Sequence, residues 1–362
     1  MGCIAAGHSC KAHCALKQTD FHSVMNALQI RQPNVKAFCT LPNPEPGAGW
    51  ARIKVKAAGI CRTDLELLAG TITVDYPLTP GHEWSGVVDK VGSPADEEWL
   101  GRRVAANNEA TCLKCRYCRR GEWRSCSQFR QIGFQLPGAY AEYLLVPVYN
   151  LCELSETVSF EQGALLEPLG VGLAVAEMAG ARLGTTAVVL GAGPIGLNCL
   201  AALKAAGARR ILCLDRQEHR LALAKSWGAL DAVESLQELR RLSGQYHVRG
   251  ADVVIDATGS AEMLQPALGM VRVGGACVLA GYDRERGTTF RPDSIQVKNV
   301  RVMGAGNNSG YTEAAVIVAN DGLIRTEEMI THRFSLADAE DVFSMESISR
   351  SGYIKGMFAF PD

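Results

Sequence analysis

Thr186-Ala-Val-Val-Leu-Gly-Ala-Gly-Pro-Ile-Gly196 runs from an apolar segment into a glycine loop and out into the start of a helix. The short run Ala187-Val-Val-Leu190 suits a strand buried on both faces. Gly191, Gly193 and Gly196 fall on the G-x-G-x-x-G spacing of a dinucleotide-binding turn. The first glycine permits the tight turn, the second lets a pyrophosphate approach the backbone, and the third lets helix and strand pack closely. Pro194 and Ile195 complete the loop, and the helix that follows offers free N–H groups and partial positive charge to phosphates. Asp215 closes the next apolar run, Ile211-Leu-Cys-Leu214. A carboxylate there accepts hydrogen bonds from the adenosine ribose and repels a 2′-phosphate, which favours NAD over NADP. Arg216 can stack on adenine or hold a phosphate, so NADP stays open as the less favoured cofactor. Arg220 and Thr258 are assigned to the same cofactor site.

Outward from this loop the grammar differs on the two sides. Downstream, Asp252-Val-Val-Ile255 and Ala276-Cys-Val-Leu279 are further strands separated by helical stretches, which predicts an α/β unit with a parallel sheet wrapped by helices. Upstream, residues 25 to about 160 read as β-rich, with strands at Trp50–Ala57, Trp84–Val91 and Ala139–Val146 punctuated by glycine and proline. After about Val302 the pattern is mixed and ends on Gly352-Tyr-Ile-Lys-Gly-Met-Phe. A chain of 362 residues is too long for one ordinary core. A net charge of −1, with no basic block, gives no field to recruit nucleic acid or anionic lipid. The apolar stretches Gly163–Ala181 and Thr185–Ala208 are interrupted by charge, glycine and proline, so neither reads as a membrane span. Residues 1–24 are polar and Cys/His-bearing, which suits a poorly ordered extension rather than a secretory signal.

The 13 cysteines are unevenly placed. Cys112, Cys115, Cys118 and Cys126 form C-x2-C-x2-C-x7-C, a spacing at which four thiolates close around one tetrahedral zinc and leave no open position. The alternative is a disulfide pair or four thiols that are merely close. A second constellation is dispersed: Cys61 after Ala58-Gly-Ile, His82 and Glu83 in Pro80-Gly-His-Glu, and Glu167 in Ala164-Leu-Leu-Glu-Pro. One thiolate, one imidazole and one or two carboxylates would leave zinc an exchangeable position. Thiolate metal sites and the lack of a signal point to a cytoplasmic enzyme.

Taken together, Gly59-Ile-Cys-Arg-Thr-Asp64, Gly81-His-Glu83, the four-cysteine lobe, Glu167-Pro168 and the glycine loop resemble the zinc-containing medium-chain alcohol and polyol dehydrogenases, sorbitol and threonine dehydrogenases among them. The resemblance covers the chain from about Met25 to the end. It implies a GroES-like β-rich catalytic domain, residues 25–167 and 303–362, interrupted by a Rossmann domain, residues 168–302, with the active site between them.

The resemblance also implies roles. Cys61 and His82 ligate the catalytic zinc, with Glu167 bound directly or through water and Glu83 either a ligand or behind the ligands. Thr63 hydrogen-bonds the substrate oxygen, Asp64 orients His82, and Arg62 reaches the cofactor pyrophosphate. Many members carry histidine where this chain has Glu66, so here the proton relay ends on a carboxylate or in solvent. Polyol dehydrogenases often carry an arginine near Asn307-Asn308, and this chain does not. The implied reaction moves a hydride between a secondary alcohol of polyol, sugar or cyclitol type and NAD, in a homodimer or homotetramer. A biosynthetic ketone or aldehyde reductase and an NADP-preferring sugar dehydrogenase are the alternatives.

Overall fold

The computed structural model describes residues 23–245, 250–284, 286–306, 310–324, 326–348 and 351–360. Nearly all of the expected N-terminal extension, and the Asn307-Asn308 position, lie outside the described residues.

The chain enters as an antiparallel hairpin, Val24–Gln32 (β1) and Val35–Pro42 (β2). Trp50–Ile60 (β3) follows. Ala51, Ile53, Val55 and Ala57 point into the core while Arg52, Lys54 and Lys56 stay partly exposed; from Ala57 to Ile60 every residue is buried. That change of pattern marks where the strand passes beneath other structure, just before the partly exposed Cys61. Arg62–Ala69 (α1) comes next, then Glu83–Val91 (β4) and Arg103–Ala106 (β5). The short pair Glu109–Ala110 (β6) and Arg130–Gln131 (β7) forms the base of the cysteine lobe, and Tyr143–Pro147 (β8) and Leu151–Glu153 (β9) complete the N-terminal part. The strand expected at 139–146 starts only at Tyr143. Residues 138–140 instead donate backbone N–H groups to the carbonyls of Thr79, Gly81 and Pro80, which carries Tyr140 to a fully buried position.

Helices Phe160–Ala164 (α2) and Leu166–Met178 (α3) lead to the second sheet. The expected boundary at 167/168 falls inside α3. Strands Thr186–Leu190 (β10), Arg210–Leu214 (β11), Asp231–Val233 (β12), Ala251–Asp256 (β13), Val271–Leu279 (β14) and Arg301–Gly304 (β15) form a six-stranded sheet in the order β12-β11-β10-β13-β14-β15, with every neighbouring pair parallel. Helices Pro194–Ala205 (α4), Glu218–Ser226 (α5), Leu236–Gln245 (α6), Leu264–Met270 (α7) and Asp293–Gln296 (α8) lie between these strands in sequence. The order reverses between β10 and β13, and ligands of such sheets bind outside the carboxyl ends of strands at that reversal. This is the Rossmann arrangement.

Tyr311–Asn320 (α9) then returns the chain toward α3, and Ile330–Ser335 (β16) and Lys355–Ala359 (β17) join the first sheet, ordered β16-β17-β3-β4-β5-β9 with β8 also on β3. The return through β17 completes the GroES-like unit from both ends of the chain. No helix among the described residues is long and apolar enough to cross a membrane.

Candidate active site and metal centres

Adjacent strands β3 and β4 build the reactive centre, with Gly59 opposite Glu83. A Cβ at Gly59 would lie 2.1 Å from Glu83 Oε2, so only glycine lets that carboxylate lie across β3. Cys61 follows β3 as the residue that starts α1, and His82 immediately precedes β4. The ligand atoms of Cys61, His82 and Glu83 lie within 4.8 Å of one another. His82 and Glu83 are buried and Cys61 is partly exposed.

Asp64, in the first turn of α1 and fully buried, organises this centre. It accepts hydrogen bonds from the Tyr140 hydroxyl at 2.7 Å and from the backbone N–H groups of Gly81 and Cys61, each at 3.2 Å, and lies 3.0 Å from His82 Nδ1. The last contact places the Nδ1 proton toward Asp64 and leaves Nε2 for a ligand. Burial pushes the Asp64 carboxyl up, but His82, Tyr140 and the Cys61 N–H outweigh it and hold it below its ordinary value. Burial likewise opposes the charged imidazole of His82, and Asp64 and Cys61 overcome it.

Lys355, on β17 and 3% exposed, places Nζ 2.6 Å from both Glu83 oxygens. Burial works against its charge, and the Glu83 and Cys61 anions more than compensate. Glu167 sits beside this centre without joining the tight trio. Burial raises its carboxyl to about 7, with His82 opposing and Glu83 adding to the rise. The donor set suits zinc: a thiolate, an imidazole whose other nitrogen is held by a carboxylate, and a buried carboxylate, with room for a fourth ligand.

The cysteine lobe presents a different geometry. Its Sγ–Sγ separations are 3.5 Å for Cys115–Cys118, 3.6 Å for Cys112–Cys126 and 3.9 Å for Cys112–Cys118. Four sulfurs about 2.3 Å from a common centre form a tetrahedron with edges of about 3.8 Å. All four cysteines are free, which removes the disulfide alternative. Backbone N–H groups of Lys114 and Cys115 pull the Cys112 thiol down to about 6, while burial pushes Cys118 up to about 11. A cluster with part of its thiols poised for deprotonation, at tetrahedral spacing, fits one closed zinc.

In the glycine loop, Gly191 has φ +92°, and a Cβ at Gly196 would lie 1.7 Å from the Gly191 carbonyl oxygen. Gly193 precedes Pro194 at the N-terminus of α4, and the nearest neighbour to a Cβ there would be Arg220 Nη1, at 3.8 Å. Asp215 accepts the N–H of Ala192 at 2.8 Å and of Gln217 at 2.9 Å, and lies 3.9 Å from Arg220. Arg216 is exposed. The Thr258 hydroxyl donates to Asp256 at 2.6 Å, at the end of β13.

Between α1 and the nucleotide sheet, the Thr63 hydroxyl lies 3.0 Å from that of Tyr282, just beyond β14. Glu66 lies 3.5 Å from Arg62 and 3.4 Å from Arg284. The sequence reading missed Lys355, Tyr140, Tyr282 and Arg284. Lys355 carried a signal, a lone cation in the apolar run Tyr353-Ile-Lys-Gly-Met-Phe358; the other three owe their place to tertiary contacts alone.

Residues 47–156 match the alcohol dehydrogenase GroES-like domain, and residues 194–319 match the zinc-binding dehydrogenase family. A probable D-xylulose reductase A of Arthroderma otae is 32% identical over 86% of this chain and 90% of its own length. The sorbitol dehydrogenase of Bacillus subtilis is 29% identical over 83% of this chain and 88% of its own. Among solved structures, an alcohol dehydrogenase of Escherichia coli in complex with NADH superposes with a TM-score of 0.87 at 28% identity, covering 93% of this chain and 100% of that one. A putative zinc-binding dehydrogenase of Sinorhizobium meliloti bound to NADP gives 0.86 at 30% identity with the same coverage. With this fold, these two sulfur- and carboxylate-bearing centres and these matches, the chain belongs to the zinc-containing medium-chain alcohol and polyol dehydrogenases, and is a zinc-dependent enzyme that uses NAD(P).

Proposed function

We propose that this enzyme oxidises a secondary hydroxyl of a polyol, sugar or cyclitol with NAD, and reduces the matching ketone in reverse. The observation that carries this reading is the Cys61–His82–Glu83 trio, with Asp64 behind the histidine and Lys355 behind the glutamate. Zinc held by that trio would polarise the substrate oxygen and lower the pKa of its hydroxyl. Cys61 and His82 hold the metal, Glu83 or Glu167 supplies the carboxylate, and the other carboxylate holds a water or the substrate. Thr63 hydrogen-bonds the substrate oxygen and takes its proton. Glu66 stands one turn along α1 between two guanidinium groups. The four-cysteine lobe holds a structural zinc.

Residues 168–302 would bind NAD, with 25–167 and 303–362 supplying the chemistry. Gly191, Gly193, Pro194, Ile195 and Gly196 seat the pyrophosphate against α4, with Arg62 and Arg220 nearby and Thr258 bordering the site. Asp215 supports NAD over NADP. The unpaired cysteines among the described residues suit a reducing compartment such as the cytoplasm. β15 ends its sheet, and an exposed edge of this kind is where a second copy would add to form a dimer or tetramer.

The test is a panel of polyols, sugars, cyclitols and simple alcohols offered with NAD and with NADP. Expected is turnover of a secondary alcohol with NAD. Turnover confined to primary alcohols would overturn the substrate class.

A further inference from the structure

In the reading above the substrate's proton goes first to Thr63. Two side chains can take it onward: Glu66, one turn along α1, and Tyr282, which meets Thr63 of α1. Both Glu66 oxygens face guanidinium groups, Arg62 at 3.5 Å and Arg284 at 3.4 Å. A proton placed on that carboxylate would discharge both ion pairs. Tyr282 makes a direct hydroxyl–hydroxyl contact with Thr63 at 3.0 Å, and either oxygen can be the donor.

The position of Tyr282 is built by its backbone. The N–H groups of Ala280 and Gly281 both donate to the Asp256 carbonyl, at 2.8 and 2.9 Å. A Cβ at Gly281 would lie 2.3 Å from the Gly259 nitrogen, so the exit of β14 is pressed against the loop after β13 in a way only glycine permits. The Tyr282 ring carries the Arg284 guanidinium 4.8 Å from its centroid, and Arg284 is in turn held by Glu66. The phenol is thus fixed from the cofactor side and from α1, while the residue keeps 48% of its surface exposed.

We infer that Tyr282 is the outlet through which the proton leaves Thr63. The substrate O–H proton passes to Thr63 Oγ1, the proton already on Thr63 passes to Tyr282 Oη, and the phenolic proton passes to water at the mouth of the cleft. Each hydroxyl gives one proton as it takes one, so neither changes charge, and a hydroxyl's single donor and two acceptor positions allow both contacts at once. The whole reaction balances as alcohol plus NAD⁺ giving carbonyl, NADH and a proton to solvent. Glu66 then serves as a positioning residue that holds Arg284 over the ring.

This inference rests on the proposed alcohol oxidation, and the test separates the two. Tyr282→Phe removes only the hydroxyl. On the alcohol the wild type oxidises fastest, kcat should fall about tenfold, a modest share of what proton-transfer catalysis supplies. The solvent deuterium isotope effect on kcat should rise as proton exit becomes slow. NADH affinity, read by fluorescence titration, should stay within about twofold. Tyr282→His, which can also accept and donate, should recover part of the rate. Tyr282→Phe with unchanged kcat and isotope effect, while Cys61→Ser is inactive, would overturn the outlet alone. The whole loss appearing in Glu66→Gln instead would return the path to Glu66. Activity surviving in Cys61→Ser would sink the zinc reading and the outlet together.

Discussion

Asp64 shows how much one buried carboxylate can decide. Its four contacts tie together the start of α1, the turn before β4 and the Tyr140 segment, so the direction of His82 is set by the same group that anchors the local fold. Cys61→Ser and His82→Ala should each abolish turnover while leaving NADH binding, measured by fluorescence, nearly intact, because the glycine loop belongs to the other sheet. Lys355 is the second such residue. Lys355→Met would leave the Glu83 carboxylate buried without its cation, and should destabilise the chelator-treated protein by about 3–5 kcal/mol in urea unfolding. A midpoint matching wild type would show that Glu83 finds another partner. At the cofactor, Asp215→Ser should narrow a preference for NAD that is about tenfold or more, roughly 1.4 kcal/mol, as compared by kcat/KM with the two dinucleotides. Wild type favouring NADP would contradict the role given to Asp215. The glycines were legible because their spacing carries them, while Cys61 and His82 were legible only through the family resemblance of the short motifs they sit on. Lys355 and Tyr282 lie 272 and 219 residues from the groups they meet, and no local pattern encodes such pairings.

At the scale of elements, the cysteine lobe and the trio should part company when metal is withdrawn. The lobe offers four thiolates and no exchangeable position, whereas the trio offers one thiolate and harder oxygen ligands. A mild chelator should take about one zinc per chain first, with activity falling in proportion and the circular dichroism spectrum kept. Stronger treatment should strip the second and loosen residues 112–126. Cys115→Ser should lower Tm by on the order of 5–10 °C while leaving the ranking of substrates alone. Metal analysis giving no more than one zinc per fully loaded chain, with Cys115→Ser neutral for Tm, would remove the second site. Most elements were readable from period and punctuation: Trp50–Ala57 alternates, and the strands of the second sheet are short apolar runs between helices. The segment before Tyr143 has the composition of a strand and is one only in part: the N–H groups of 138–140 go to Thr79–Gly81, while Tyr140, Ala141 and Glu142 pair with β1 and β3.

Over the whole molecule, each sheet keeps a buried cluster of its own, and a third cluster is shared between them. Met329, Ile330, Ile354 and Met357, which come from the C-terminal return, are buried in one cluster with Val175, Val189, Leu197, Leu200 and Leu203. Further ties cross the same boundary: Arg220 donates to the Tyr353 carbonyl at 3.0 Å and Trp227 to Glu328 at 2.9 Å. Heating should therefore give a single calorimetric transition for the full chain, and residues 168–302 produced alone should lack fixed tertiary structure by near-ultraviolet circular dichroism. Two well-separated transitions would show that the shared cluster contributes little. The architecture as a whole was legible, since the change from alternating to βαβ grammar announces two sheets; the sharing of a core was not, because apolar residues do not state which partner they bury against.

A close approach beside that shared core lies on α3, where a Cβ at Gly172 would come within 2.6 Å of the Asn198 backbone on α4. The consequence is felt by anyone building hybrids. Transplanting a foreign nucleotide module at residue 168 would sever α3 near its first turn, take Gly172 and α4 away together, and set a stranger's side chains against Met329, Ile330, Ile354 and Met357 of the host, where extra bulk overfills the shared cluster. Cores tolerate such overpacking poorly, at about 1–3 kcal/mol for each misfit. Crossovers placed before α2 and after β17, carrying α3 and the C-terminal return along with the nucleotide sheet, would preserve the interdigitated surface. In genetic terms, the unit that this chain can exchange is larger than the unit that binds the nucleotide.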